Sequence, residues 1–187
     1  MTIEPLGIHG TWLCTSTVWE DDRGSFREWF KKDGIASVTG LDFSVAQANI
    51  SESKFGVVRG IHYSLATVGQ AKWVTCVKGA IRDVVVDVRP SSSTYGQYVA
   101  VDLTGGDGQS LLIGAGLGHG FISLEAGSVV SYLLSSSYSP SEEFEINPLD
   151  PALGIDWGLP TEKMILSTKD SAAPSLSERS KKNQLPA

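Results

Sequence analysis

Two histidines stand in distinctive sequence contexts. His62 lies in VVRGIHYS and His119 in GAGLGHGFISL, whereas His9 lies near the start of the chain. An imidazole titrates close to neutral pH, so it is the natural proton acceptor for an enzyme that works there. Arg59 precedes His62 by three residues with a glycine between them, so a cation and a base could contact one ligand. From position alone, a structural histidine and a surface ion pair of Arg59 remain the alternatives.

The spacing of these residues disfavours a catalytic metal. Neither histidine belongs to an HxH or HxxxE cluster, and the chain has only three histidines. Metal sites in small β-barrels use several histidines and a carboxylate. Cys14 and Cys76 form no CxxC pair and give no disulfide framework, so we expect reduced thiols.

Charged residues on predicted strands are ambiguous. Asp83 and Asp87 share one strand face with Val85, because side chains alternate with a period of two. Inside a barrel each aspartate needs a partner or a ligand, whereas on a solvent-facing surface it needs neither. Lys72 in GQAKWVTC is similarly either a site residue or a solvated lysine. The GAGLGHG segment lacks the GxxxxGK[ST] pattern and a strand–helix setting, so it is interpreted as a tight turn.

The elements that must position these residues are predicted to be β-strands. VVDVR, YVAVDL, SLLIG and SVVSYLL are short, mostly valine- or leucine-rich segments, bounded by Gly, Ser or Asp. Residues 78–79, 104–108 and 125–128 separate such runs and are short enough for hairpin or near-hairpin links. The pattern favours an antiparallel sandwich or barrel. Helix is expected only as a turn or two at residues 26–32 and 150–156.

Composition sets the class of protein. The chain has 187 residues, 41% hydrophobic and 19% charged, which fits one globular domain. A net charge of -6 argues against broad contact with nucleic acid or an anionic membrane. The start has no basic segment followed by an apolar run, and no stretch of about 18 apolar residues occurs, so a soluble cytoplasmic protein is expected. The polar ending, residues 177–187, is predicted to be a loosely held tail.

An ordered set of motifs carries a family resemblance. DDRGSFREWF, VAQAN, RGIHY, GQAK, RDVVVDVRPSSSTYGQY, GLGHGF, Tyr132 with Tyr138-Ser139-Pro140, DPALGIDW and LSTKDSAAP follow one another as they do in dTDP-4-dehydrorhamnose 3,5-epimerases. The resemblance implies an all-β, cupin-like jelly-roll barrel with a few short helices over residues 1–176, followed by the tail at 177–187. It also implies a homodimer with residues exchanged across the interface, and neither cofactor nor metal. The implied reaction is epimerisation at carbon 3, carbon 5 or both of a dTDP-4-keto-6-deoxyhexose, as in rhamnose and other deoxysugar biosynthesis.

The resemblance also implies roles for individual residues. His62 resembles the general base, Asp170 its acidic partner and Tyr132 the proton donor on the opposite face of the sugar. Lys72 resembles the lysine beside the keto oxygen, where enolate charge develops when a neighbouring proton leaves. In the family, the positions of Arg23 and Glu28 reach the partner subunit's site, and that of Tyr138 stacks on thymine. The positions implied to bind substrate are Arg23, Phe26, Glu28, Gln47, Asn49, Arg59, Asp83, His119, Tyr138, Glu143 and Lys169.

The sequence departs from the family pattern in three places. GAGLGHGF replaces a PxGFAHGF-like turn, Leu133 replaces a basic residue after Tyr132, and Ser64 stands where Gln is common. Since some relatives invert only carbon 3 or only carbon 5, a monofunctional epimerase of an antibiotic sugar pathway is an alternative. A non-catalytic sugar-nucleotide-binding cupin is another, disfavoured by His62, Lys72, Tyr132 and Asp170 occurring together. A 3,4-ketoisomerase would carry two closely spaced histidines on a strand, and the sequence has none.

Overall fold

Two antiparallel sheets face each other and form most of the molecule. The structure is a computed structural model that describes residues 1–186. The strands are β1 Thr2–Pro5, β2 Thr11–Thr15, β3 Trp19–Asp21, β4 Gly24–Phe26, β5 Gln47–Ser53, β6 Val58–Ser64, β7 Lys72–Lys78, β8 Ala80–Asp87, β9 Tyr98–Thr104, β10 Gln109–Ile113, β11 Leu117–Ser123, β12 Ser128–Leu134 and β13 Glu143–Glu145. One sheet has the order β1-β2-β10-β7-β12-β5 and the other β13-β6-β11-β8-β9, while β3 and β4 form a separate ribbon.

The all-β, cupin-like jelly-roll prediction is confirmed, and β8 shows why its pattern holds. Ile81 and Val85 point between the two sheets and pack with residues of the facing sheet such as Val74 and Leu111. The alternating valines of β8 point the other way, into an outer cluster that includes Trp157. Both faces of β8 are covered by other parts of the protein. Its outward-pointing positions are therefore valines rather than the solvated polar residues of a strand with one face in water. The outer valines are Val84, Val86 and Val88.

The three predicted hairpin links are wrong, because each crosses between sheets. Residues 78–79 join β7 to β8, 104–108 join β9 to β10, and 125–128 join β11 to β12. In every case the two strands belong to different sheets. Gly79 turns tightly at φ 77°, and a Cβ there would lie 2.6 Å from the Ser128 hydroxyl. Turn chemistry therefore marked the corners of the barrel correctly but not which strands pair.

The helices are short and lie away from the predicted positions. They are α1 Ile35–Thr39, α2 Thr168–Ser171 and α3 Leu176–Lys181, with a 3-10 turn at Thr161–Lys163. Residues 26–32 are instead the end of β4 and irregular chain, and residues 150–156 form a turn at 151–153 followed by irregular chain. The second segment turns because the Asp150 carboxylate accepts a hydrogen bond from the Ala152 amide at 3.0 Å. In residues 1–186 no helix has the length and apolar character needed to cross a membrane.

The C-terminal segment is packed, contrary to the loosely held tail that was predicted. Ser175 and Glu178 form a capping box at the start of α3. Leu176 is buried in the outer cluster. Beyond the helix, the Tyr63 hydroxyl donates to the Gln184 carbonyl at 2.6 Å. Leu185 also packs against the outer cluster, so the polar composition of the segment hides its contact with the barrel.

Candidate active site

A cavity of about 510 Å³ opens between the two sheets. Its size is that of a typical small-ligand site. Strands of both sheets and the start of α2 contribute to its wall. The residues predicted for catalysis or binding that line it are Gln47, Asn49, Arg59, His62, Lys72, His119, Tyr132, Tyr138, Glu143, Lys169 and Asp170.

His62 is held by a buried carboxylate. Its Nε2 lies 2.7 Å from Asp170 Oδ1, although the two residues are 108 positions apart. The Ser167 hydroxyl caps α2 by accepting from the Asp170 amide at 3.0 Å, which fixes the carboxylate. Burial alone would raise the pKa of Asp170, but hydrogen bonds from His62, Ser167 and the Gly60 backbone lower it overall. An ionised carboxylate only accepts, so Nε2 carries a proton, and in the neutral tautomer the free lone pair belongs to Nδ1.

His119 stands beside His62 on the neighbouring strand. The two are direct partners in the pairing of β11 with β6. Asp83 holds His119 with both carboxylate oxygens 2.9 Å from Nε2. Asp83 is fully buried and reaches the cavity only through His119, so the solvent-facing alternative for this strand face is wrong. The GAGLGHG segment makes a turn at 115–116 and then enters β11.

Tyr132 and Lys72 occupy the facing sheet. Tyr132 pairs with Val74, and Leu134 pairs with Lys72, so the two side chains lie two positions apart on adjacent strands. Burial raises the pKa of Tyr132, with Arg59 lowering it and Glu143 raising it less strongly. The phenol therefore stays protonated at neutral pH. Histidines on one sheet thus share a cavity with a phenol and an ammonium group on the other.

Lys72 is buried rather than solvated. Its Nζ donates to the His62 carbonyl at 3.3 Å. Burial lowers the pKa of this ammonium group, while the negative charges of Glu143 and Asp83 oppose the shift. The Gln70 amide donates to Glu143 Oε1 at 3.0 Å and so fixes one of these carboxylates.

Polar groups continue towards the open end of the cavity. The Gln47 amide donates to Asn49 Oδ1 at 2.9 Å, and its own oxygen accepts from the Tyr138 amide at 2.9 Å. Arg59 donates to the Ser53 hydroxyl at 3.1 Å and to a backbone carbonyl. Within residues 1–186 Arg59 makes no salt bridge, so the surface ion pair considered for it is absent and its charge is available to a ligand.

Besides Asp83, which does not line the cavity, three of the predicted binding residues lie away from it. Arg23 is at the tip of the β3–β4 ribbon, where its side chain is 90% exposed and paired with Asp21. Phe26 is also exposed and packs on Trp19, with ring centroids 5.8 Å apart. Glu28 lines a second cavity of about 340 Å³. The expectation that Arg23 and Glu28 serve a partner subunit's site stays a prediction.

Several lining residues were not singled out from the sequence. Ser51 continues the alternation of Gln47 and Asn49 along β5, and this period of two was the signal available for it. Its hydroxyl is buried without a hydrogen-bond partner among the described residues. The others are Gln70, Phe121, Leu134, Phe144 and Ser167.

Over residues 1–186, no three His, Cys, Asp or Glu side chains are grouped as a metal site requires.

Comparison with known proteins identifies relatives over nearly the whole chain. The family model described as dTDP-4-dehydrorhamnose 3,5-epimerase matches residues 5–178. A dTDP-4-dehydrorhamnose 3,5-epimerase of Mycolicibacterium smegmatis is 45% identical over 186 residues, covering 100% of this chain and 91% of that protein. The expected family is therefore supported along the whole sequence.

Solved structures agree with both sequence and fold. A 4-keto-6-deoxy sugar epimerase from the novobiocin gene cluster of Streptomyces spheroides superposes with a TM-score of 0.95 at 42% identity, covering 100% of this chain and 93% of that one. A 3'-monoepimerase from Streptomyces bikiniensis, in complex with dTDP-quinovose, has a TM-score of 0.93 at 40% identity, with 98% and 92% coverage. The chain belongs to the dTDP-4-dehydrorhamnose 3,5-epimerase family.

Proposed function

We propose that the protein epimerises a dTDP-4-keto-6-deoxyhexose at carbon 3, carbon 5 or both, through an enolate. The observation that carries the proposal is the shared cavity, where the Asp170-bound His62 comes from one sheet and Tyr132 and Lys72 from the other. Both carbons flank the ketone at carbon 4, so loss of either proton leaves its charge on the same oxygen. One set of side chains therefore serves both positions.

His62 takes the role of general base. Asp170 fixes its ring and its tautomer, so the free lone pair of Nδ1 is available to accept the carbon-bound proton. The imidazolium that forms lies beside a carboxylate already ionised at neutral pH, which stabilises it. His119, held by Asp83, stands next to His62 as a second polar group against the sugar.

Lys72 stabilises the enolate oxygen. A charge fixed in advance, in a site that excludes water, lowers the barrier most where negative charge develops. Lys72 is buried on the sheet that faces His62, which fits that demand. Its lowered pKa also makes it a readier proton donor to the oxygen than a solvated lysine.

Tyr132 returns the proton on the opposite face. Inversion needs an acid across the ring from the base, and Tyr132 belongs to the sheet facing His62. Its raised pKa keeps the phenol protonated until a strongly basic carbon appears. After one turnover the imidazolium and the phenolate exchange protons with solvent.

The remaining predicted residues bind the nucleotide. Arg59 and Lys169 bring positive charge to the cavity of an acidic protein, which suits a diphosphate. Tyr138 is 54% exposed and offers a ring on which thymine can stack. In a homodimer, the exposed Arg23 and Glu28 from the second cavity would complete the neighbouring site, while no cofactor or metal takes part.

Deuterium exchange tests the proposal. The protein is mixed with dTDP-4-keto-6-deoxyglucose in deuterated water, and NMR follows label at carbons 3 and 5. We expect label at one or both positions. Label at one carbon alone identifies a monofunctional enzyme. Label at carbon 3 alone would match the 3'-monoepimerase activity named for the Streptomyces bikiniensis relative. Folded protein that binds dTDP and labels neither carbon is a binding protein and not an epimerase.

Two variants assign the base and the acid. His62→Ala abolishes exchange at both carbons because no other imidazole has the Asp170 contact. Tyr132→Phe keeps the ring and removes the hydroxyl, so abstraction and wash-in continue while the yield of inverted sugar falls. Near-normal turnover of His62→Ala would move the base to another residue, and unchanged inversion by Tyr132→Phe would do the same for the acid.

A further inference from the structure

Glu145 connects the cavity wall to the C-terminal helix. It pairs directly with His62 across β13 and β6. Its two carboxylate oxygens bind different cations: Oε1 lies 3.0 Å from Arg179 Nη2, and Oε2 lies 3.1 Å from Lys169 Nζ. Lys169 lines the cavity, whereas Arg179 belongs to α3 on the outer side. One acid is thus shared between a cation of the site and a cation outside it.

Arg179 is rigidly held in this position. Its Nε donates to the Glu145 carbonyl at 2.9 Å, and its Nη1 donates to Gln184 Oε1 at 2.7 Å. The guanidinium also lies 5.2 Å from the centre of the Phe144 ring. Its side chain is only 9% exposed. Since a planar guanidinium with fixed partners loses little further freedom, it holds Glu145 in one place.

The charges of the three groups explain what the sharing does. A Lys169–Glu145 pair on its own would be neutral and would offer an anionic ligand little attraction. Arg179 supplies a second positive charge to the same carboxylate, so the cluster keeps a net charge of one positive unit beside the cavity. Lys169 is the exposed member, with a side chain 60% exposed against 9% for Arg179, so it can turn from Glu145 to a ligand while Arg179 stays in place.

We infer that Arg179 is a positioning residue for substrate binding, which neutralises Glu145 so that Lys169 can engage the diphosphate of the nucleotide. The inference rests on the proposed function, because it takes the ligand to be a sugar nucleotide. Arg179 does not line the cavity, although its guanidinium lies against the Phe144 ring of the wall, and it stands just beyond residues 5–178, the span of the family match. Its charge acts on the ligand through Glu145 and Lys169.

The test measures dTDP affinity by calorimetry at low salt, together with KM and kcat for the keto sugar. Arg179→Met weakens dTDP binding about tenfold and raises KM equally, since Lys169 is then retained by Glu145. The value of kcat stays within about twofold, because the diphosphate is bound equally in ground and transition states. Arg179→Lys restores most of the affinity by restoring the charge.

The double variant Glu145→Gln with Arg179→Met separates charge from structure. Without the carboxylate Lys169 is free again, so dTDP affinity returns to within about twofold of wild type. Glu145→Gln alone binds dTDP about threefold more tightly, because two cations then lack their acid. This single variant decides the matter if Arg179→Met does not fold, as thermal unfolding will show.

Several results would overturn the inference. They are a double variant as weak as Arg179→Met, a Glu145→Gln variant that binds dTDP more weakly than wild type, or a loss of kcat with KM unchanged. Failure of the proposed function is a separate outcome, since the wild type would then show no deuterium exchange. In that case the dTDP affinities still decide the role of Arg179.

Discussion

Replacing Asp170 by asparagine removes one charge from the site and little else. The amide has nearly the shape of the carboxylate, and its oxygen can still accept from His62 Nε2 at the position now 2.7 Å away. The Ser167 hydroxyl still accepts from the backbone amide of residue 170. Ring orientation and tautomer are therefore kept, while the negative charge that stabilises the imidazolium is lost.

The size of the effect follows from burial. Asp170 is 5% exposed, so solvent screens its interaction with the imidazolium poorly. A hydrogen bond to a charged group contributes about 1.5–3 kcal/mol, and about 1.4 kcal/mol corresponds to a factor of ten. If this stabilisation develops only as the proton is transferred, kcat falls roughly 10- to 150-fold. KM changes little, because the lost interaction acts only as the proton is transferred.

The assay is deuterium wash-in at saturating substrate, with dTDP affinity measured in parallel. Stability provides a second readout. Since the pKa of Asp170 is lowered on folding, its charge stabilises the fold above the unfolded carboxyl pKa of about 3.9 and that contribution is lost as the pH falls through the folded value. The difference in unfolding free energy between wild type and variant should shrink between pH 7 and pH 3. A variant whose kcat is within twofold of wild type refutes this role for Asp170.

Three further predictions concern the thiols, a buried ion pair and Lys72. Burial raises the pKa of Cys14 to about 12 and that of Cys76 to about 11, so the native thiols should not react with DTNB at pH 8. The unfolded protein should release two equivalents of the thiolate product, one for each cysteine. Labelling of the native protein would contradict this expectation. Asp87→Ala leaves Arg89 without its partner at 2.7 Å and should lower the unfolding free energy by about 3 kcal/mol at pH 7 in urea. Burial opposes ionisation of Asp87, but Arg89 and two hydroxyls lower its pKa overall. The difference in unfolding free energy between wild type and Asp87→Ala should therefore become smaller as the pH falls below about 4. A difference that does not depend on pH would exclude the Asp87 charge as its cause. Lys72→Met keeps the volume of the side chain and removes its charge. Deuterium exchange into the keto sugar should therefore slow at least about 100-fold, with dTDP affinity nearly unchanged. A smaller decrease in the exchange rate would place the enolate oxygen away from Lys72.

Strand positions were predictable because they depend on local alternation. Asp83 among valines marked β8 in the sequence, and the structure shows both faces of that strand buried. Strand pairing was not predictable from the turns. A short Gly-containing link such as residues 78–79 has the same composition whether it joins hydrogen-bonded neighbours or carries the chain to the facing sheet.

The site was predictable only in part from local sequence. His62 stood out by itself, but its contact with Asp170 spans 108 residues and was expected only through the family resemblance. Ser51 was within reach of a simple alternation argument and was missed. Arg179 was out of reach, since its acidic partner Glu145 is 34 residues away along the chain and belongs to a different element.

The late position of Asp170 has a consequence for biosynthesis. A ribosome makes the chain from its amino end, so all thirteen strands emerge before the acid that orients the imidazole. The nascent polypeptide can therefore assemble its two sheets before it is chemically competent. A premature stop codon or proteolytic nick shortly ahead of α2 would leave the sheets' strands whole and the base without its acid.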